Sequence, residues 1–239
     1  MSLRRIRGIV RKELREYGRN RSTIAGMAIL PLVFTVQPLI AVLRFSTAAA
    51  GPLAHEHVLL YMLGIPTLVP VVLAATAIAG ERAQGTLEPA LTTPLRRDEM
   101  VLAKWLAALI PSVVVAYAVF GVFLLVVALF AQPAVAPAVF QWPDLVAQVV
   151  FTPLLASWSI WIGIGFSTRS SDVRVAQQLG MVASLPPVFA VAAVALGAVA
   201  PSVELGVAAA AVLVVLDVAG WRVTSMLFDR ERLITGPRS

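Results

Sequence analysis

Long apolar runs, separated by short charged or proline- and glycine-rich segments, dominate the chain. Six runs reach the roughly 20 residues that a helix needs to cross a hydrocarbon core of about 30 Å. They cover about residues 24–43, 59–79, 105–131, 145–166, 177–199 and 206–227. Backbone amides inside lipid must be bonded internally, and the alternating segments of a membrane barrel are absent. The pattern therefore predicts an all-α membrane protein with six transmembrane helices.

Prolines interrupt two of these runs. Pro111 lies near the start of the third run, where it either kinks the helix or marks the end of a preceding one. Pro186 and Pro187 argue against a single straight helix in the fifth run, and a broken or re-entrant segment is the alternative.

The first 23 residues follow a different periodicity. Apolar and basic positions alternate with helical spacing and predict an amphipathic helix. A basic helix joined directly to a span is expected in the membrane interface, with its arginines at anionic headgroups. It is either a topology anchor alone or a mechanical elbow for the bundle. The apolar positions are Leu3, Ile6, Val10, Leu14 and Tyr17, and the basic ones are Arg4, Arg7, Arg11 and Arg15.

The composition supports a membrane protein, since 59% of the residues are hydrophobic and 13% are charged. Soluble domains carry roughly twice that share of charge. A net charge of +6, from 17 Arg and 2 Lys against 13 acidic residues, would suit a nucleic-acid binder only if it were spread evenly. Cysteine is absent, which excludes disulfides, thiol nucleophiles and cysteine-ligated metals.

The basic residues instead predict the orientation of the chain. The segments before span 1, between spans 2 and 3, between spans 4 and 5, and at the end hold 8, 4, 2 and 4 of the 19 Lys and Arg, counting Arg222 with the last. Basic residues collect on the cytoplasmic side. We therefore expect cytoplasmic N- and C-termini in a bacterial inner membrane, and one transmembrane domain over residues 1–239 with a cytoplasmic loop at 80–104.

Motifs for chemistry within the chain are weak. A phosphate-binding loop needs Lys after Gly and before Ser or Thr, and neither Lys12 nor Lys104 stands in that context. His55 and His57 flank Glu56, but residues two apart share no helix face and a histidine pair alone does not complete a metal site, so an exposed polar loop is favoured. We expect no enzyme activity and no bound cofactor or metal.

Asp217 is the exception among the apolar spans. It lies in the middle of the sixth run, where an ionised carboxylate costs about 2.5–3.5 kcal/mol on insertion scales. It is therefore expected to face the bundle interior, a cavity or a partner. Either it makes a structural hydrogen bond to a Ser, Thr or Trp, or it has a role in transport.

The segment GERAQGTLEPALTTPLRRDEMVLAKW, residues 80–105, resembles the first cytoplasmic loop of ABC-2 type exporter permeases. That family pattern has a Glu at the end of span 2, a G-T-L/I-E segment, a T-P pair, and a basic residue entering span 3. Pro89 directly after Glu88 departs from it. Here the matching positions are Glu81, Gly85, Thr86, Leu87, Glu88, Thr93, Pro94 and Lys104.

The resemblance implies that this loop docks as a coupling helix on a separate ATP-binding subunit, which holds the ATP and Mg²⁺. It also implies two six-span permeases, as a homodimer or related heterodimer, with two ATP-binding subunits and a substrate path near spans 2 and 5. Thr86 can cap a short helix and Pro94 can end one. The mixed charges, which include Arg82, suit a polar protein interface. Arg169, Asp172 and Arg174 between spans 4 and 5 form either a second contact or topology charge alone.

The sequence therefore predicts the permease subunit of an ATP-driven exporter, with a hydrophobic or amphipathic cargo such as a drug, antibiotic or lipid. An ATP-independent secondary transporter or channel is one alternative, although it predicts more intramembrane charge and an inverted repeat. A non-transporting membrane scaffold subunit is another.

Overall fold

The computed structural model describes residues 3–44, 57–85 and 97–227, and within them the chain forms α-helices, one 3₁₀ helix and no strand. The α-helices are α1 Leu3–Arg19, α2 Arg21–Arg44, α3 Gly64–Ala83, α4 Arg97–Phe130, α5 Val135–Val139, α6 Trp142–Arg169, α7 Val173–Ala183, α8 Leu185–Ala195 and α9 Val203–Leu227. The 3₁₀ helix, Val58–Leu63, leads directly into α3.

Six helical stretches are long and apolar enough to cross a membrane, which confirms the predicted all-α architecture. They are Thr23–Arg44, Val58–Ala83, Asp98–Phe130, Trp142–Arg169, Val173–Ala195 and Val203–Leu227. Several extend past the predicted apolar runs by a turn or more, because helices continue into their flanking polar residues. The short helix α5, between the third and fourth of these stretches, was not predicted.

Both flanking helices extend into the predicted loop 80–104. Helix α3 continues to Ala83, and α4 already begins at Arg97, so only about the middle of that segment lies between helices. Helix α4 also runs unbroken through Pro111, which therefore does not end a preceding helix.

The fifth span is divided at Ser184. Its amide donates to the carbonyls of Gly180 and Met181 at the end of α7, and α8 begins at the next residue. Pro186 and Pro187 occupy the first turn of α8, where a missing N–H leaves no hydrogen bond unmade. The two prolines thus start one helix and prevent the previous one from continuing.

Helix α3 is the centre of the bundle. It packs against α2, α4, α6 and α7, and nearly all of its residues are buried. Neighbouring side chains donate to its backbone carbonyls: Ser159 to Thr67 at 2.5 Å and Gln177 to Val72 at 3.4 Å. These bonds add polar contacts to a core that is otherwise apolar.

Close backbone approach lets α6 pack tightly on α3. A Cβ placed on Gly163 would lie 2.5 Å from the Cβ of Ala74, whereas one placed on Gly165 would meet nothing within 4 Å. Small residues at such contacts allow helices to approach closely. Gly163 therefore fixes the distance between the two helices.

The outer faces of the bundle are apolar and exposed, most of all on α2, α4 and α9. The second span is 89% buried along its most apolar window, and the sixth is 6% buried. Span 2 is therefore enclosed by its own chain, whereas span 5 is 17% buried, and the expected substrate path near these two spans stays a prediction. The outward-facing helices remain available to lipid or to another subunit.

Candidate functional site

The charged end of the bundle is the end where α3 finishes and α4 begins. Segment 86–96, which joins the two helices, lies outside the described residues and includes the expected site residues Thr86, Leu87, Glu88, Thr93 and Pro94. Helix α1 packs against α4 beside this segment. The described residues on either side of segment 86–96 therefore define the candidate site.

Lys104 is the centre of this site and is 1% exposed. Its Nζ lies 3.1 Å from Oε1 of Glu13 and 3.0 Å from Oε1 of Glu81, and donates to the carbonyl of Ala77 at 2.6 Å. A lysine ammonium has three donors, so these three acceptors satisfy it. The cluster joins α1, the end of α3 and the first turns of α4.

Lys12 extends the cluster toward solvent. Its half-exposed ammonium lies 3.3 Å from Oε1 of Glu81 and 3.4 Å from Oε1 of Glu16. Partial burial lowers the pKa of Lys12, but Glu13, Glu81 and Glu16 together raise it by more, so the net shift is upward. The ammonium therefore stays charged at neutral pH, and Glu81 is shared by two lysines.

A second ion pair connects α1 to the start of α4. A guanidinium nitrogen of Arg5 lies 3.8 Å from Oε2 of Glu99, whose side chain is 2% exposed. Together with Lys104, this pair holds α1 across the first two turns of α4.

The apolar face of α1 packs on protein. Ile6 and Tyr17 are buried, and Tyr17 belongs to an apolar cluster that includes Leu73 and Val101. Burial, together with the nearby carboxylates of α1 and α3, raises the pKa of the Tyr17 phenol well above its ordinary value. Most of the face that we expected at the lipid interface is therefore covered by the bundle, and the position of α1 at a membrane surface stays a prediction.

Arg82 joins the end of α3 to the end of α6. Its guanidinium donates to the carbonyl of Ser170 at 2.6 Å and to that of Thr168 at 3.4 Å. These are carbonyls at a helix C-terminus, where a positive charge is favourable. Beyond Arg82, Gly85 has φ of +67°, a left-handed conformation that ends the helix and suits glycine.

Ser167 makes an unusual contact one turn deeper. Its buried hydroxyl accepts from the amides of Ile78 and Ala79 at 3.0 and 2.9 Å, and donates to the carbonyl of Ala75 at 2.7 Å. These backbone groups normally bond along the helix, and a side chain inserted among them is a known cause of helix bending. Ser167 thus couples α6 to the last two turns of α3.

The expected second contact lies beside Arg82. Asp172 caps α7 by accepting from the amide of Arg174 at 2.7 Å, and Arg169 lies in the last turn of α6. All three side chains are exposed. An open groove of about 420 Å³ is lined by Arg169 and Asp172 together with apolar residues of α6 and α7. The three residues are therefore grouped, and a partner contact there stays a prediction.

Asp217 lies inside the bundle, away from the charged end. Its Oδ1 is buried and has no hydrogen-bond partner among the described residues, and the hydroxyl of Ser157 neighbours its carboxyl group. The indole of Trp105 donates to that hydroxyl at 3.0 Å and stacks on Trp161 with a centroid distance of 5.6 Å. Ser157 is therefore the neighbour available for the expected structural hydrogen bond, and a transport role for Asp217 stays a prediction.

At the opposite end, His57 pairs with a carboxylate. Its Nδ1 lies 2.6 Å from Oδ1 of the buried Asp144, while His55 and Glu56 lie outside the described residues. No group of three or more metal-binding side chains occurs in the part of the chain that the structure describes. The pair joins the start of the 3₁₀ helix to the first turn of α6.

The sequence interpretation did not identify Glu13 as a site residue. It is separated from Lys104 by 91 positions, so their pairing depends on the tertiary fold. A signal was nevertheless present, because Glu13 falls in the helical stripe of Ile6, Val10 and Tyr17. A carboxylate within an apolar stripe needs a buried partner.

Comparison with known proteins extends these observations. A family model described as ABC-2 family transporter protein matches residues 7–228, far beyond the segment 80–105 that carried the resemblance. No curated protein matches the chain.

Proposed function

Since this chain belongs to the ABC-2 transporter family, we propose that it is the membrane-spanning permease subunit of an ATP-driven exporter. The family and the six apolar helices make it a multi-pass membrane protein and a transport component. In this proposal the chain moves its cargo out of the cell and is driven by ATP hydrolysis in a separate partner subunit. ATP and Mg²⁺ bind to that partner, and this chain binds no cofactor.

The proposed orientation places the charged end in the bacterial cytoplasm. The bias of Lys and Arg toward that end supports it, because basic residues resist translocation. Both termini and segment 86–96 then face the cytoplasm. An ATP-binding subunit in the cytoplasm would meet this segment first.

The cluster around Lys104 is the observation that carries the coupling mechanism. Two buried carboxylates and a buried ammonium tie α1 to both helices that flank segment 86–96. Movement of that segment by a partner would therefore move α1, α3 and α4 together. We propose that ATP binding in the partner shifts the bundle between inward- and outward-facing states through this rigid connection.

This arrangement changes the role that we assign to Glu81. Its docking on a partner stays untested, and its carboxylate, 7% exposed, is bonded within the chain. We propose that Glu81 positions the coupling segment, whereas Glu88, the exposed groove at Arg169 and Asp172, and Arg174 contact the partner. Arg82 would link the two contact regions.

We propose two permease copies, homodimeric or as a related heterodimer, with two ATP-binding subunits. The exposed apolar faces of α2, α4 and α9 support an additional subunit, and they are compatible with a hydrophobic or amphipathic cargo such as a drug, antibiotic or lipid. Because α3 is enclosed, we place the substrate path along the outward-facing helices.

The test is reconstitution of this chain in vesicles with the ATP-binding subunit encoded beside it. We expect it to stimulate ATP hydrolysis, and Glu88→Lys to abolish the stimulation because it reverses a charge in the segment proposed to dock on the partner. Glu204→Lys is the matched control, because it makes the same change at an exposed position at the opposite end of the bundle. Failure of the unaltered chain to bind or stimulate any ATP-binding subunit would refute the proposal and favour an ATP-independent transporter or a scaffold.

A further inference from the structure

Four arginines form a continuous stripe along α1. Residues spaced by three or four positions share one face of a helix, and Arg4, Arg7, Arg11 and Arg15 have this spacing. All four side chains are exposed. We call this face the arginine stripe.

The stripe carries charge that the described protein does not neutralise. No carboxylate in residues 3–44, 57–85 and 97–227 forms an ion pair with any of its four guanidinium groups. The adjacent flank of the same helix is different, because Arg5 pairs with Glu99 and Lys12 with Glu16 and Glu81. Cations on one side of α1 are therefore used within the chain, and those on the other side face outward.

An open groove lies between the first three arginines. It has a volume of about 500 Å³ and is lined by Arg4, Arg7, Gly8 and Arg11. No atom of the described residues lies within 4 Å of the position that a Cβ on Gly8 would occupy, so the floor of the groove is open. One guanidinium group can bond two oxygens of a phosphate at once, and three guanidinium groups surround this groove.

Apolar side chains border the stripe on the side nearest the bundle. With 3.6 residues per turn, Leu3 and Leu14 lie between the arginine stripe and the buried face of Ile6 and Tyr17. Leu3 is 83% exposed. An arginine row next to exposed leucine matches the boundary between lipid headgroups and acyl chains.

We propose that the groove over Gly8 binds the phosphate of an anionic phospholipid, held by Arg4, Arg7 and Arg11. Charge complementarity selects the ligand, since three guanidinium groups without an ion-pair partner among the described residues attract a net negative headgroup more strongly than a zwitterionic one. Helix α1 is then held on one side by the buried ion pairs of Lys104 and on the other by lipid. The inference requires a membrane protein but not ATP-driven export, so the two proposals fail independently.

The experiment measures binding of fluorescent phosphatidylglycerol and phosphatidylcholine to the purified full-length chain in neutral detergent. R4Q/R7Q/R11Q removes the three guanidinium groups that bond the phosphate. Because a hydrogen bond to a charged group contributes roughly tenfold or more to affinity, this variant is expected to weaken phosphatidylglycerol binding by at least about a hundredfold. Binding of phosphatidylcholine should not change. Because these side chains are exposed, the variant is expected to keep the helical content of the unaltered chain, as measured by circular dichroism.

The matched control is R19Q/R169Q/R174Q, which removes the same charge from exposed positions at the same end of the bundle. Its loss of affinity for phosphatidylglycerol should be at least about tenfold smaller than that of the stripe variant, since it leaves the groove intact. Equal losses in the two variants would show diffuse attraction and overturn the site, as would equal binding of both lipids. Displacement by inorganic phosphate at the concentration of the lipid would identify free phosphate as the ligand and also overturn the proposal.

Discussion

Substitution of Lys104 by methionine removes the buried ammonium while keeping a side chain of similar length. Glu13 and Glu81, which are 4% and 7% exposed, would then face each other without the shared cation. Lys12 contacts both carboxylates from the half-exposed side but lies 3.9 Å from Glu13. The variant therefore leaves buried negative charge that solvent and Lys12 neutralise only in part.

The size of the effect follows from burial. Removing one partner of a buried ion pair costs about 3–5 kcal/mol, because the remaining charge stays desolvated. The substitution also removes the hydrogen bond that Lys104 donates to the carbonyl of Ala77. We therefore expect Lys104→Met to lower the free energy of unfolding by about 3–5 kcal/mol.

The measurement is reversible unfolding in mixed micelles by a denaturing detergent, followed by tryptophan fluorescence. Lys12→Met is the matched control, since it removes a lysine that shares the same carboxylates from a side chain that is 49% exposed. Exposed ion pairs contribute about 0–1 kcal/mol, so this variant should unfold close to the unaltered chain.

A loss below about 1 kcal/mol for Lys104→Met, equal to that of Lys12→Met, would refute the buried-charge reasoning. The triple variant K104M/E13Q/E81Q tests the same point from the other side. Replacing all members of a buried ion cluster by uncharged groups often changes the stability little. The triple variant should therefore recover most of the lost stability. If this stable variant does not stimulate ATP hydrolysis by the ATP-binding subunit, the charges transmit motion as well as stabilise the fold.

Three further outcomes are expected. Gly163→Ala should lower the free energy of unfolding by about 1–3 kcal/mol, because its Cβ would overlap the neighbouring helix, and Gly165→Ala on the same helix should not. Ser167→Ala should cost about 1–3 kcal/mol in the same unfolding assay, since it removes a hydroxyl bonded to three backbone groups, whereas the exposed Ser171→Ala should cost little. Asp217→Asn should reduce transport in vesicles without changing folding, and unchanged transport with unchanged folding would exclude a transport role for this residue.

Much of the charged end was predictable from the sequence, but its internal pairing was not. The family resemblance placed Glu81 at the end of span 2, and the charge pattern placed Arg82 and Arg169 in the segments after spans 2 and 4. The structure brings Arg82 to the end of α6. The pattern did not reveal that Glu81 turns inward to Lys104. An acidic residue near a loop looks the same in sequence whether it faces solvent or a buried cation.

The sequence by itself determined the class and the number of apolar helices, and it predicted the two-sided character of α1. These depend on local composition and on periods of three or four residues, which act over one or two turns of helix. Tertiary structure alone decided that α3 lies at the centre, that Gly163 sets its distance from α6, and that Lys104 joins Glu13 to Glu81. Those features depend on contacts between residues far apart in the chain, and many pairings are compatible with the same apolar pattern. Packing density and the cost of an unpaired buried charge select among them.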